Sequence, residues 1–207
     1  MDVIRLDQRA ADYPTHLSIC LGRDAPPSLA ALGNLGALRH KKLALFCSVK
    51  CPGDLILQTY DLAQRLRHAG ICVVGGFHSP MERECLHVLL RGPQPIIQCP
   101  ARGMDRMRLP ADYKAPLEAG RLLLLSPFDA KHRRATVEAA ITRNRFVAAL
   151  ADTILVAHAA PSSKLEDLCR EVLGWGKPLL TLENERNQHL VAMGAVPVRP
   201  ETSGEWL

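Results

Sequence analysis

Short apolar runs recur along the chain at 43–47, 71–74, 95–99, 122–125, 153–157 and 178–182. Several are apolar without alternation, as expected for strands covered on both faces of a parallel sheet. Between them the pattern takes a helical period. Within 54–69, Leu55, Leu62, Ala63 and Leu66 share one face, Gln58, Asp61, Gln64, Arg65 and His68 point elsewhere, and Gly70 is placed to stop the helix. Further helices are expected over 80–91, with Pro80 at a first helical position, over 131–150, and over 163–175. The last opens with Ser163-Lys164-Leu165-Glu166, a capping-box spacing. This alternation predicts right-handed βαβ units and an α/β, Rossmann-like open sheet, mostly parallel, with helices on both faces. Residues 1–40, broken by Pro14, Pro26, Pro27, Gly33 and Gly36, read as a lead-in packed on a main domain of residues 41–207.

Composition narrows the function classes. With 47% hydrophobic and 23% charged residues over 207 positions, the chain can build a core of its own, which argues against disorder. No stretch approaches the roughly 20 apolar residues that span a bilayer. The N-terminal MDVIRLDQRAADYP carries charges where a signal peptide needs its apolar region, so the expected compartment is the cytoplasm, with no membrane partner. Seven cysteines, an odd number without a C-x-x-C pair, fit that compartment. Cys72, Cys85 and Cys169 lie among apolar residues and read as small hydrophobes. Cys47 and Cys51 are four apart but lack a second pair or a His partner, so no metal site is expected.

Lys and Arg outnumber Asp and Glu by 26 to 21. They concentrate in Arg39-His40-Lys41-Lys42, in Arg102, Arg106 and Arg108, and in Lys131, Arg133 and Arg134 with Arg143 and Arg145. That placement suits a phosphate-bearing partner, and equally a solvated surface. Aromatic residues make up only 4% of the chain, so a platform stacking one aromatic per base is not expected.

In open α/β sheets, ligands bind beyond the carboxyl ends of the strands, at helix N-termini. The loops there (48–53, 75–80, 100–108, 126–130 and 158–163) are rich in Gly, Ser, Pro, Lys and Arg, which favours an anion over a divalent metal. Ser48 and Lys50 offer a hydroxyl and an ammonium to phosphate, or form a simple turn. Gly75 and Gly76 let the backbone approach a ligand, or permit a tight turn. His78, Ser79 and Glu82 read as a base with its carboxylate, or as an S-x-x-E capping box. Arg102, expected to share a cleft with Lys50, stands in a long loop with Arg106 and Arg108. Arg143, Asn144 and Arg145 are mid-helix, so only part of the triplet faces any one partner. Ser162, Ser163 and Lys164 form another helix start suited to an anion, or simply a cap. There is no G-x-S-x-G, Walker loop or G-x-G-x-x-G, and neither a catalytic residue nor a cofactor is assigned.

Read together, several of these segments resemble the DNA-processing protein A family (DprA, also called Smf). Tyr13-Pro14 followed by Gly33-Asn34-Leu35 is similar to the family's approach to its first Rossmann strand. Leu43-Ala44-Leu45-Phe46-Cys47-Ser48-Val49-Lys50 resembles its hydrophobic strand ending in Gly-Ser-Arg, with Cys47 for the Gly, Val49 for the Arg, and a cation one residue later. Val73-Val74-Gly75-Gly76-Phe77 resembles its Val-Ser-Gly-Leu/Met segment, although the Ala-x-Gly-Ile-Asp that follows reads His78-Ser79-Pro80-Met81-Glu82. Arg143-Asn144-Arg145-Phe146-Val147-Ala148-Ala149-Leu150-Ala151-Asp152 resembles its Arg-Asn-Arg-Ile-Ile-Ala-Gly-Leu-Ser-Asp stretch, and Ala160-Pro161-Ser162-Ser163-Lys164 its Ser-Gly-Ser turn. The resemblance implies single-stranded DNA held by basic loops, a part in DNA uptake and recombination, a recombinase as partner, and a homodimer. For the dimer, Leu168, Val172, Leu173, Trp175, Leu190, Val191 and Met193 either pack as plain core over the sheet or leave an excess exposed as an apolar patch that a two-fold partner would bury. The alternative is a pocket for a nucleotide or its derivative, with or without hydrolysis. The Pro-Gly-Gly-x-Gly-Thr-x-x-Glu motif of the LOG-type phosphoribohydrolases is not reproduced at Pro161-Ser162-Ser163-Lys164-Leu165-Glu166. A basic track reaching Lys131, Arg133 and Arg134 separates the two readings.

Overall fold

The computed structural model describes residues 2–105 and 107–206. Among them, nine strands form one sheet: β1 (Ile4–Asp7), β2 (Ser28–Gly33), β3 (Lys42–Cys47), β4 (Cys72–Gly75), β5 (Ile96–Gln98), β6 (Leu122–Ser126), β7 (Thr153–His158), β8 (Leu179–Leu182) and β9 (Val196–Val198). The order across the sheet is β1-β2-β6-β5-β4-β3-β7-β8-β9. From β6 to β9 every pairing is parallel, whereas β1 pairs β2 and β2 pairs β6 antiparallel. The α/β, Rossmann-like open sheet expected from the apolar runs is therefore the fold. Two of its strands come from residues 1–40: β1 is a short, mostly exposed strand, and β2 is bounded by Pro27 and ends on Gly33.

Helices α1 (His16–Leu21), α5 (Val137–Leu150), α6 (Lys164–Gly174) and α7 (Gln188–Met193) cover one face, and α2 (Gly53–Leu66), α3 (Pro80–Leu89), α4 (Lys114–Glu118) and α8 (Ser203–Trp206) lie on the other. Alternation within the strands feeds both layers. In β3, Ala44 and Phe46 enter the core under α5, while Leu43, Leu45 and Cys47 enter the core under α2 and α3. The face of α2 read from the sequence is the buried one: Leu55, Leu62, Ala63 and Leu66 are all inaccessible to solvent. That helix ends at Leu66, and the chain turns before Gly70, which takes a φ of 70°.

One buried and one half-buried lysine fix the opposite end of the sheet. Lys42, on the first residue of β3, places its Nζ 3.2 Å from Asp152 and donates to the carbonyls of Leu38 and His40. Lys177 donates to the carbonyls of Ala148, Ala149 and Ala151, satisfying the orphan acceptors at the end of α5.

One boundary differs from the sequence pattern in a way that matters for the site. The helix expected over 131–150 begins only at Val137. Thr136 is its N-cap, accepting from the Ala139 N–H at 3.1 Å. The Asp129 carboxylate draws the N–H groups of Lys131 and His132 into a turn, and the Phe128 and His132 rings stack with centroids 4.7 Å apart. Lys131, Arg133 and Arg134 therefore lie on a loop at the carboxyl edge of the sheet instead of on a helix.

The apolar residues near the C-terminal end take the core-packing alternative. Leu168, Val172 and Leu190 are buried, and Leu173, Trp175 and Met193 pack partly buried against the same core. The exposed apolar side chains lie elsewhere, notably Ile56, Leu57 and Tyr60 along one stripe of α2.

Candidate nucleic-acid interface

Strand order reverses between β3 and β7, and a crevice opens there beyond their carboxyl ends. Its cavity measures about 600 Å³. The loop after β3 supplies Ser48, Val49 and Lys50, the loop after β4 supplies His78 and Ser79, and the loop after β7 leads to Ser163 and Lys164. Helices α3, α5 and α6 all point their N-termini at it. Their caps, Ser79, Thr136 and Ser163, line the cavity, and each accepts an N–H from its own first turn. Three positive dipole ends thus meet one cavity. Its walls are otherwise aliphatic, with Val49, Val137, Ala140, Ile141 and Leu165. Cations and dipoles around an apolar lining suit a ligand with both phosphate and a flat apolar part.

The lips are braced through side chains the sequence had singled out. Ser48 Oγ accepts from the Ala160 N–H at 2.9 Å, and the Ser48 N–H donates to the His158 carbonyl at 2.8 Å, tying the loops after β3 and β7 together. Glu82 holds two more. Its carboxylate accepts from the backbone N–H groups of Cys47 (3.0 Å), His78 (2.8 Å) and Ser79 (3.4 Å), while the Ser79 hydroxyl accepts from the Glu82 N–H. This is the capping box, extended to the end of β3. Glu82 meets His78 through the backbone of that residue, and the exposed imidazole rests on the rim. At α6, Ser163 caps through the Glu166 N–H at 3.2 Å, and the Glu166 carboxylate accepts from the Ser162 N–H instead of completing a box with Ser163.

Arg143 forms part of the cavity wall, and Gly76 is why it fits. The guanidinium, on a side chain only 4% exposed, donates through Nη1 to the Cys99 carbonyl at 3.1 Å and through Nε to Asn144 Oδ1 at 2.8 Å. It occupies the space a Cβ at Gly76 would take. Burial lowers its pKa, opposed by the nearby Glu82. Gly75 is similarly covered by the Phe77 ring. The next helical residue, Arg145, points away. It forks onto Glu171 and reaches Asp24, so it belongs to the packing of α5 on α6.

Arg102 does not share the cavity of Lys50. It lines a neighbouring hollow of about 370 Å³ with Gly103, Asp105 and Arg133, while Ala101 faces the main crevice. Arg106 lies outside the described residues. A third hollow, lined by Lys131, His132, Arg133, Arg134 and Thr136, shares Thr136 with the crevice and Arg133 with the Arg102 hollow. The two basic loops are joined by the Gly103 N–H donating to the His132 carbonyl at 2.8 Å. Among the described residues, no carboxylate pairs with Lys50, Arg102, Lys131, Arg133 or Arg134, and Asp105 is taken by Arg5 at 3.0 Å. Lys164 makes only an exposed pair with Asp167 at 3.6 Å. The carboxyl edge therefore carries a run of unneutralised cations.

Several contributors escaped the sequence reading. Thr136 had a legible signal, a hydroxyl followed by Glu138 in the first turn. The buried pair His158 Nδ1 and Asn187 Oδ1, 2.9 Å apart, had none, because it joins the end of β7 to residues 29 positions later. Two residues here have left-handed backbones without being glycine, Phe77 (φ 48°) and Ser162 (φ 57°). Ser162→Gly relieves that strain at an exposed position. It should stabilise the fold by about 0.5–1 kcal/mol after the added freedom of the unfolded chain. Calorimetry should then show the melting temperature rising by about 1–4 °C; a fall would mean that the turn is not strained.

With this geometry in place, the sequence profile of the DNA recombination-mediator protein A family matches residues 5–198. The chain belongs to that family. Among solved structures, DNA processing protein A from Streptococcus pneumoniae is similar with a TM-score of 0.80 at 22% identity, covering 96% of this chain and 72% of that one. DNA processing protein A from Helicobacter pylori, described for its single-stranded DNA binding mode, gives 0.78 at 20% identity, covering 98% and 94%. The molybdenum cofactor carrier protein from Chlamydomonas reinhardtii shares the fold more distantly, with a TM-score of 0.55 at 11% identity over 80% of this chain and 95% of that one. No curated protein matches the sequence. Among the described residues, no helix is long and apolar enough to cross a membrane.

Proposed function

We propose that this protein binds single-stranded DNA along the carboxyl edge of its sheet, with one nucleotide in the crevice between β3 and β7 and the flanking phosphates on the basic loops. The observation that carries this reading is continuity. The crevice on three helix N-termini runs through Thr136 and Arg133 into two further hollows whose cations have no carboxylate partner among the described residues. A mononucleotide pocket needs only the first of these. Family membership, and the strand binding described for the Helicobacter pylori protein, support the same reading. The phosphate contacts belong to Ser48, Lys50, Ser163 and Lys164 at the crevice and to Arg102, Lys131, Arg133 and Arg134 beyond it. Gly76, Glu82 and Arg143 shape the crevice. No base-specific contact is required of a site built this way, and the chain acts as a binding module in DNA uptake and recombination, presenting the strand to a recombinase. A second copy of the chain, seated on Ile56, Leu57 and Tyr60 of α2, would place two such tracks on one particle and raise avidity for a long strand. Light scattering at micromolar concentration tests that arrangement; a strict monomer removes it.

Fluorescence anisotropy with labelled oligonucleotides and with free nucleotides, at several salt concentrations, tests the main reading. Each phosphate neutralised on a single strand contributes about 0.7 to the slope of log affinity against log salt. Three to six contacts give an expected slope of about −2 to −4. A slope near zero, or equal affinity for a mononucleotide, would overturn the extended track.

A further inference from the structure

One stripe of α5 forms a wall of the crevice. Val137, Ala140, Ile141 and Asn144 recur at the three- and four-residue spacing of a single helical face, and all four line the cavity. Accessibility falls along the helix, from the exposed Val137 through the half-buried Ala140 and Ile141 to Arg143, which is 4% exposed beside Asn144. Three aliphatic side chains therefore lead inward to one amide. Val49 and Leu165 add aliphatic lining from other elements. Val49 and Val137 stay largely exposed, at 69% and 72%, so apolar surface is open to solvent at the mouth itself.

The inner end presents donors. Arg143 Nε donates to Asn144 Oδ1 at 2.8 Å. A guanidinium has no acceptor, so this contact fixes how the amide is turned: its oxygen faces Arg143 and its NH2 group is left over. Among the described residues, Asn144 Nδ2 has no partner, and neither has Arg143 Nη2, since Nη1 and Nε make the two bonds of that guanidinium. The guanidinium atoms nearest Gly76 are Nη1, Cζ and Nε, which leaves Nη2 on the side away from the glycine. Both unpartnered atoms remain open to solvent, on residues that line the crevice. The carboxylate of the lining, Glu82, is already engaged by three backbone N–H groups.

We propose that the crevice receives one unpaired nucleobase, with its faces against the aliphatic side chains and a carbonyl oxygen on Arg143 Nη2 and Asn144 Nδ2, so that Asn144 makes the site discriminate against adenine. The inference rests on the reading above, in which Lys50 and Lys164 hold phosphates at the mouth; the track along the loops needs no base contact, and the crevice supplies one. A rise of 1.5 Å per residue puts Asn144 about 10 Å along α5 from Val137, which is about the reach of a nucleotide from its phosphate to the far edge of its base. The chemistry of the walls decides which part goes inward. Aliphatic side chains gain by covering a flat ring, whereas a phosphate drawn past them loses water with no donor to replace it. Guanine, thymine and cytosine each carry a ring carbonyl. Adenine carries none, and sets an amino group beside its N7. Against a pair of N–H groups that amino group opposes donor to donor and leaves one of them unsatisfied. The base must also leave its stack to enter, which a single strand permits more readily than a duplex.

Fluorescence anisotropy with oligo-dT, oligo-dA and an abasic strand of equal length tests this on the natural chain and on Asn144→Asp. That variant keeps the acceptor for Arg143 and replaces the free NH2 group with an oxygen. On the natural chain oligo-dT should bind about tenfold tighter than oligo-dA, the worth of one charge-assisted hydrogen bond, and at least about tenfold tighter than the abasic strand. The new negative charge in Asn144→Asp weakens every strand, so the readout is the ratio of dT to dA affinity, in which that charge and the self-stacking of oligo-dA both cancel between the two proteins. The ratio should fall about tenfold. Titrating the natural chain with dGMP, dAMP and deoxyribose 5-phosphate, followed by amide NMR signals of residues 140–144, makes the test independent of the variant's folding. Here dGMP should bind tightest. An abasic strand equal to oligo-dT, or deoxyribose phosphate equal to dGMP, overturns the base in the crevice and leaves the phosphate track standing. Equal affinity for dT and dA, or a ratio unchanged in Asn144→Asp, overturns the role of Asn144. Preference for dGMP over dAMP in a protein that binds no oligonucleotide supports this inference and discards the DNA reading, and binding of none of these ligands overturns both.

Discussion

Gly76→Ala should destabilise the protein by about 3 kcal/mol, an effect out of proportion to one methyl group. The added Cβ falls on the Arg143 guanidinium, and that group has nowhere to retreat. It is fixed by the Cys99 carbonyl and Asn144 Oδ1, and its side chain is almost wholly buried. Either the backbone after β4 shifts, or the guanidinium leaves its partners. Overpacking costs about 1–3 kcal/mol, and stripping a buried charge of its partners costs about 3–5 kcal/mol. The intermediate figure corresponds to a melting temperature lower by about 6–12 °C for a chain of this length. The crevice should weaken with it, because Arg143 lines the cavity that Gly76 makes room for. A double-mutant cycle isolates the cause. Arg143→Ala alone removes a buried hydrogen-bonded cation and destabilises as well, but in that background Gly76→Ala should cost little, since the methyl enters vacated space. If the two costs simply add, the contact between Gly76 and Arg143 is not what the glycine is for.

That pair also shows where sequence reasoning stops. The apolar runs at 43–47, 71–74, 122–125 and 153–157 were legible as strands because a strand covered on both faces has no polar side to conceal it. From those strands the carboxyl-edge loops follow, and with them most of the residues around the crevice. The partnerships among these residues do not follow. Gly76 reads as a turn glycine, and only the packing reveals that its missing side chain houses an arginine 67 positions later. Glu82 reads as the carboxylate of a capping box or as half of a base–carboxylate pair, and only the structure, with three backbone N–H groups on its oxygens, decides for the first. In the triplet 143–145, helical rotation alone decides that Arg143 faces the crevice and Arg145 faces Glu171. Strands β1 and β2 were hidden for a different reason. β1 is only four residues long with Leu6 alone buried, β2 is bounded by Pro26, Pro27 and its own Gly33, and β2 joins the sheet through β6, far along the chain, so no local pattern announces the pairing. The start of α5 was misplaced because residues 131–135 carry no helix breaker. The Asp129 turn and the Thr136 cap act through specific hydrogen bonds, which periodicity does not register.

The misplaced start of α5 leads to the largest expected effect on binding. Because Lys131, Arg133 and Arg134 form a loop beside Arg102, their charges can be removed without touching a helix or the core. Arg102, Lys131, Arg133 and Arg134 are exposed, and no carboxylate among the described residues depends on them. Replacing all four with alanine should leave the melting temperature nearly unchanged, since surface substitutions away from caps and networks usually fall within about 0.5 kcal/mol. Oligonucleotide affinity at low salt should nevertheless drop by about 10²–10³, because up to four phosphate contacts vanish together. The slope of log affinity against log salt should flatten by about 2 to 3, at about 0.7 per contact. Mononucleotide binding should be spared, because the crevice keeps Lys50, Lys164 and its three helix N-termini. Lys50→Ala should act in the complementary way, weakening long and short ligands alike by about tenfold through the loss of a charge-assisted contact. Titrating both variants with a long oligonucleotide and a mononucleotide separates a track from a pocket. Equal losses for both ligands in the four-site variant would confine recognition to the crevice, leaving the loop cations as ordinary solvated surface.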